Sequence, residues 1–398
     1  MEEITQLRKI ADKLGFVKYP EELEAIFEAQ RDSQAPACDL AEIDRLQETY
    51  DLFGEFFDLV KKSAQIINAD PELNAYVRAA IAYNKQSDRM TAIKLPAPQM
   101  TGRIEMDFMM LHITIPMVEA SFQELTRRGF TWEDQADARE VYKRSMRIVQ
   151  TRTDYPGING GYFSWLALYC RVGIFMTGGF WFEIKQLYAR ALWIRNRKTG
   201  QLIPLMQGRF YRDGTMMVGA KGFEDDTDSF VVEYSEDQEN FYGNACVDNV
   251  TVRESGVYPK KEWDAAGRPG EYCLSIHVPP QTDVSREATL RACRKGMRLV
   301  GIHFPEFEMT NVVFCASWLL NPKLREIQGE QSRIVQFLDC FVKYPIQDAG
   351  ESVLSFVFGK IPENLEDLQE DTSLRRKLKK LYLEGGRIHG YSGALYVE

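Results

Sequence analysis

The 398 residues include only four histidines, at 112, 277, 303 and 389, too scattered for a histidine-based metal centre. Close cysteine pairs are missing as well. The seven cysteines (Cys38, Cys170, Cys246, Cys273, Cys293, Cys315 and Cys340) are odd in number and far apart, and no basic-then-apolar leader precedes Ile4, so the expectation is a reduced, cytoplasmic protein. Long apolar runs are absent too: the most apolar stretch, 155–182, is broken by Arg171 and six glycines, which does not suit a span of ~20 residues. Nor is there an excess of positive charge. Lys and Arg number 49 against 58 Asp and Glu, a net charge of −9, so no overall field draws the chain to nucleic acid.

What remains is the balance of a folded globular chain, 44% hydrophobic and 27% charged, long enough for two or three domains. To about residue 150 the apolar residues recur at helical spacing. Ile4, Leu7, Ala11 and Leu14 form one face, stopped at Gly15; Pro20 opens a second short helix; a longer helix is expected over 40–67; Asp70-Pro71 reads as the cap and first residue of the next. Met106, Met109, Met110, Ile113 and Met117 form a stripe that spacing assigns to core packing, with a kink expected at Pro116. Thr131 and Asp134 give a capping signal for a further helix reaching about Gln150.

After Asp154 the pattern changes. Alternation on either side of Lys198-Thr199-Gly200 predicts a hairpin, and short strands are expected at 230–234 and 250–252. Then come a strand over 272–278, a helix over 285–299 capped by Ser285, a nearly uncharged strand over 311–319, a helix over 323–341 and a strand over 351–358. The tail holds Arg375, Arg376, Lys377, Lys379 and Lys380, preceded by Glu363, Glu366, Asp367, Glu370 and Asp371. Acids at the start and bases at the end of one helix complement its dipole, so neither nucleic acid nor a membrane is expected as partner. The fold class is α+β, with divisions expected at 1–154 (helical), 155–361 (mixed sheet with flanking helices) and 362–398 (helix and tail).

Several ordered motifs, GGYFSWLALY (160–169), GGFWFE (178–183), LSIHVP (274–279), HFPEF (303–307), CASWLLNPKL (315–324) and SRIVQF (332–337), resemble those of a family of two-domain acyltransferases with a helical N-terminal domain and a GNAT-like C-terminal domain. The resemblance implies an acyl-CoA-dependent N-acyltransferase that moves an acyl group from acyl-CoA or acetyl-CoA to an amine of a small molecule or peptide, without a metal. It implies that the 272–278 strand and the next one splay, that pantetheine lies between them, and that Ile276, His277 and Val278 line the cleft. A GNAT strand is ordinarily followed by a glycine-rich turn whose N–H groups cradle pyrophosphate. Here the loop is Pro279-Pro280-Gln281-Thr282-Asp283-Val284-Ser285, with two residues lacking an N–H and one anion. Arg286, Arg291 and Arg294 are the candidates to meet phosphate instead. The alternative is a catalytically silent ligand-binding protein that keeps the cleft.

Among side chains, alternation sets His277 on one face with Cys273 and Ser275, a position for a general base or for a hydrogen-bonded core histidine. His303 with Glu306 would serve as a proton relay or fix its loop. Cys315 and Ser317 share a face, which admits a covalent route with His277 as base and equally a buried structural thiol.

Overall fold

The helical spacing of the first 150 residues is realised almost element by element. A computed structural model describes residues 5–31, 33–87, 95–187, 190–246, 248–249, 251–359, 362 and 364–398, without the side chains of 253 and 254. The expectations resting on Ile4, Val250 and Glu363 lie outside the described residues. Two compact units are present, Met1–Met176 and Thr177–Glu398. Among the described residues no helix is long and apolar enough to cross a membrane.

In the first unit the Asp70 carboxylate accepts the N–H groups of Glu72 and Leu73, and Pro71 occupies the first turn of helix Pro71–Gln86, as the sequence predicts. The single helix expected over 40–67 is two, Leu40–Tyr50 and Phe57–Ala69. Asp51 takes a left-handed conformation (φ 48°), the Gln47 side chain donates to Asp51 and accepts the Phe53 N–H, and a 3-10 turn at Gly54–Phe56 follows. Leu52 and Phe53, both buried, follow the break directly. The methionine stripe is core: Met109, Met110 and Met117 are buried, and a 3-10 turn at Ile115–Met117 separates helix Met109–Thr114 from Val118–Arg127 at Pro116. Thr131 and Asp134 bond reciprocally just before helix Ala136–Thr153. Helix Gly160–Cys170, capped by Asn159, completes the unit.

The second unit is built on two sheets. Within this unit the larger has the order Phe180–Gln186, Tyr272–His277, Met309–Ser317, Tyr391–Tyr396, Val342–Pro345. The central pair, 272–277 and 309–317, is parallel, and helix Arg286–His303 makes the crossover between them. That helix lies close to the sheet because Gly296 has no side chain: a Cβ there would stand 3.0 Å from Leu274 and 3.3 Å from Phe182. The smaller sheet contains the predicted hairpin, Ala191–Asn196 with Leu202–Met206, flanked by Trp263–Gly267 and Asn240–Cys246. Trp193, Met206 and Cys246 from this sheet pack with Val312, Tyr344 and Ala394 from the larger one. The α+β class is therefore the observed one.

Three local expectations are corrected. The helix over 323–341 is two short ones, Leu324–Gln328 and Arg333–Leu338, parted at Gly329, whose φ is 82°. The strand over 351–358 is a helix, Ser352–Phe358, burying Val353 and Leu354 beside Leu378 and Tyr382. The tail helix, Ser373–Leu383, starts after its acids, and Thr372 caps it; Asp371 and Glu370 pair with Arg375 and Lys379 at 2.9 Å each. The strand Tyr391–Tyr396 then inserts between two others.

Lys343 is buried on the edge strand, its ammonium donating to the carbonyls of Leu338 (2.8 Å) and Phe341 (3.0 Å) at the end of helix Arg333–Leu338. Burial lowers its pKa from 10.5 to about 8. Below pH 8 the charge is present folded and unfolded, and the native state bears the full penalty. Between pH 8 and 10.5 the unfolded chain holds the extra proton, so stability contributed by this site rises with pH, by up to ~3 kcal/mol. Urea unfolding of the wild type and Lys343→Met at pH 7.5 and pH 10 should show the wild type gaining on the variant; equal pH dependence would contradict the assignment.

Candidate active site

The turn Gly178-Gly179 carries positive φ at both residues (61° and 80°), the conformation a two-residue hairpin needs, and starts strand Phe180–Gln186 in register with 272–277. His277 stands opposite Trp181, Ser275 opposite Glu183 and Cys273 opposite Lys185. Since side chains alternate, all six lie on one face, and His277 reaches diagonally to Glu183. His277 Nε2 is 3.0 Å from Glu183 Oε2, and Lys185 Nζ is 3.6 Å from the same oxygen.

Burial alone would raise the Glu183 carboxyl; the hydrogen bond from His277 and the charge of Lys185 outweigh it and hold the group below its usual value. An ionised carboxylate only accepts, so His277 Nε2 carries the hydrogen of this bond. The three side chains retain 24%, 18% and 17% of their exposure for His277, Glu183 and Lys185, enough for a small partner to reach.

Next to this group the parallel pair comes apart. Its register ends at Leu274 with Val313 and Ser275 with Phe314. Beyond that point Ile276 and His277 stay in register with Phe182 and Trp181, while Cys315, Ala316 and Ser317 stay in register with Gly393, Ser392 and Tyr391. Each strand follows its outer neighbour, and among the described residues no ladder pairs residues 276–278 with 315–317.

The remaining candidates fall in different places. Cys315 is on the Leu274 face, opposite to His277, is 1% exposed, and burial pushes its thiol up to about 12. The structure does not bring a histidine base to it. Ser317 accepts the Leu319 N–H at 3.1 Å and caps the turn Trp318–Leu320. His303 ends helix Arg286–His303, and Glu306 follows; eighteen helical residues, about 27 Å, put both at the far end of the sheet from His277.

In the loop after the strand, the Thr282 hydroxyl donates to the Gly179 carbonyl (2.9 Å) and Gln281 has a φ of 65°. The N–H groups there are engaged within the protein: Ser285 donates to Asp283 (3.0 Å), Arg286 to the Gln336 side chain (3.3 Å) and Ala288 to the Ser285 hydroxyl (3.4 Å). Arg286, Arg291 and Arg294 are exposed on the helix that begins here.

Glu183 and Lys185 are the members that sequence reasoning passed over. The signal was present: two charges two residues apart, on one face of the otherwise apolar run FWFEIKQ.

Residues 201–395 match the family described as GNAT-like C-terminal domain. A comparison with curated protein sequences finds no match. Among solved structures, the fold is similar to an acyltransferase variant in complex with octanoyl-CoA (15% identity, TM-score 0.65), an acyltransferase in complex with CoA and 10C-Teicoplanin (16%, 0.65) and an acyltransferase in complex with decanoyl-CoA (14%, 0.64). Each likeness covers 99% of this chain and 100% of the other. At such identities the likeness is one of fold, and it spans both units. Residues 201–395 thus match the GNAT-like C-terminal domain, and the fold is similar along the chain's length to that of solved acyltransferases.

Proposed function

We propose that the protein transfers an acyl group from a phosphopantetheine thioester, such as acyl-CoA or acetyl-CoA, to an amine of a small molecule or peptide. The observation that carries this reading is the parting of the 272–277 and 309–317 strands beside the His277–Glu183 pair. Pantetheine occupies the opening, lined by Ile276, His277 and Val278, and main-chain N–H groups polarise the thioester carbonyl. The amine attacks: a C–N bond forms, the C–S bond breaks, His277 Nδ1 takes the amine proton, and the departing thiolate is protonated to a thiol. Glu183, kept anionic by Lys185, orients the ring and stabilises the imidazolium. Direct attack is preferred to a covalent intermediate because Cys315 is buried, fully protonated and on the other face. A neighbour in complex with CoA and 10C-Teicoplanin supports a peptide-like acceptor.

A second reading, a binding protein that keeps the opening without turnover, is favoured by the loop at 279–285, where amide groups are already engaged and Asp283 stands at the helix start. Thermal unfolding with acetyl-CoA, octanoyl-CoA and free CoA separates the two. A ligand at 100 times its dissociation constant adds about 2.7 kcal/mol. A saturable rise in Tm with an acyl-CoA, followed by release of free thiol when amines are added, is expected. No shift at millimolar concentration of any of them, together with no thiol released from an acyl-pantetheine in the presence of amines, gives the first place to the binding protein.

A further inference from the structure

Helix Arg286–His303 carries five basic side chains, Arg286, Arg291, Arg294, Lys295 and Arg298, against one acid, Glu287, in a chain of net charge −9. Arg291, Arg294 and Arg298 follow one another at intervals of three and four, so they form one outward stripe opposite the face that buries Ala292, Cys293, Gly296 and Leu299. Among the described residues Arg291 forms an ion pair along its own helix, with Glu287 (3.0 Å), and Arg286, Arg294 and Arg298 form none. Together they cover about 18 Å from the opening outward. A solvated helix in an acidic protein has no need of such a bias.

The loop at the inner end of this stripe is poorly made for a nucleotide diphosphate: two prolines, and N–H groups of residues 285, 286 and 288 already donated within the protein. A thioester on CoA brings a pyrophosphate and a further phosphate to that place. The same pantetheine arm on an acyl carrier protein brings one phosphodiester and, around it, the acidic helical surface of the carrier. The second donor suits both observations.

Resting on the acyl-transfer reading, we propose that the donor is presented by an acidic acyl carrier protein, which docks on the Arg291, Arg294, Arg298 stripe and feeds its acylated arm into the opening between residues 276–278 and 315–317. Attack by the acceptor amine forms the C–N bond and releases the carrier with a free pantetheine thiol, which takes up the proton the amine loses.

The test uses the full chain and three donors bearing the same octanoyl group: an acidic bacterial acyl carrier protein, CoA and pantetheine without phosphate. The carrier should have a kcat/KM at least about tenfold above CoA at low salt, and its advantage should shrink at 0.5 M salt, where exposed charges are screened. Arg294→Glu/Arg298→Glu should lower kcat/KM for the carrier at least about tenfold more than for acyl-pantetheine. A preference for CoA, lost in the double variant, would assign the arginines to nucleotide phosphates and overturn the proposal. Equal use of carrier and pantetheine, insensitive to the variant, would overturn it as well. Turnover of acyl-pantetheine sustains acyl transfer whichever way the carrier result falls, and turnover of no thioester defeats both.

Discussion

His277→Ala is expected to lower kcat for acyl transfer by about 10²–10⁴-fold, the usual contribution of a positioned general base, with little change in KM for the thioester. The ring acts on the proton of the amine rather than on the donor, so donor binding should persist. Stability should fall by only about 1 kcal/mol, because the lost hydrogen bond to Glu183 lies where water can replace it: both side chains keep about a fifth of their exposure. Glu183→Gln should give a smaller loss of kcat, since the amide still accepts from Nε2 but no longer balances the imidazolium charge. Steady-state kinetics beside thermal unfolding decide the matter. A large fall in Tm with kcat unchanged in the folded fraction would return His277 to a structural role, and a matched fall of kcat/KM through KM alone would make it a binding residue.

Most helices of the first unit were legible because their signals are local. Asp70-Pro71 needs only its own N–H groups to make a cap, and the methionine stripe shows its period without partners. The break at Asp51 was not legible, since it depends on the burial of Leu52 and Phe53 by elements distant in sequence. Residues 351–358 were misread because Val353, Phe356, Val357 and Phe358 are β-type residues, although the positions actually buried fit a helix packed on Leu378 and Tyr382. The strand at 391–396 is short, contains Gly393 and owes its state to pairing on both sides, with 312–317 and 342–345. The site shows the same division. His277 could be singled out from its own strand, but Glu183 lies 94 residues earlier and meets it only through antiparallel register. His303 and Cys315 carried suitable chemistry, and the direction of the crossover helix and the alternation of the central strand set them elsewhere.

His112 takes no part in the site, yet it makes stability depend on pH. His112 is buried in the middle of the first unit, its Nε2 2.6 Å from the Ser63 hydroxyl oxygen. The Ser63 hydroxyl gives its only hydrogen to the Val60 carbonyl at 2.9 Å, so Nε2 is the donor and Nδ1 is unprotonated. Nδ1 is buried and has no hydrogen-bond partner among the described residues, so a proton placed there would be desolvated with none of them to receive it. Burial accordingly lowers the pKa from 6.5 to about 3. Above pH 6.5 the ring is neutral folded and unfolded, and its contribution is intact. As the pH falls from 6.5 towards 3 the unfolded chain binds a proton that the native state refuses, and stability is lost at about 1.4 kcal/mol per pH unit. The loss should be about 2 kcal/mol by pH 5. Glu55 and Glu124, held low by Arg147 and Arg127, add their own acid-dependent losses at lower pH, but these are common to the wild type and a variant. In His112→Leu the serine keeps its bond to Val60 while the titrating ring is gone. Urea unfolding at pH 7.5, 6 and 5 should therefore show the variant less stable by a fixed amount at pH 7.5 and progressively closer to the wild type as the pH falls; parallel curves would mean that the ring is protonated as readily inside the fold as outside it.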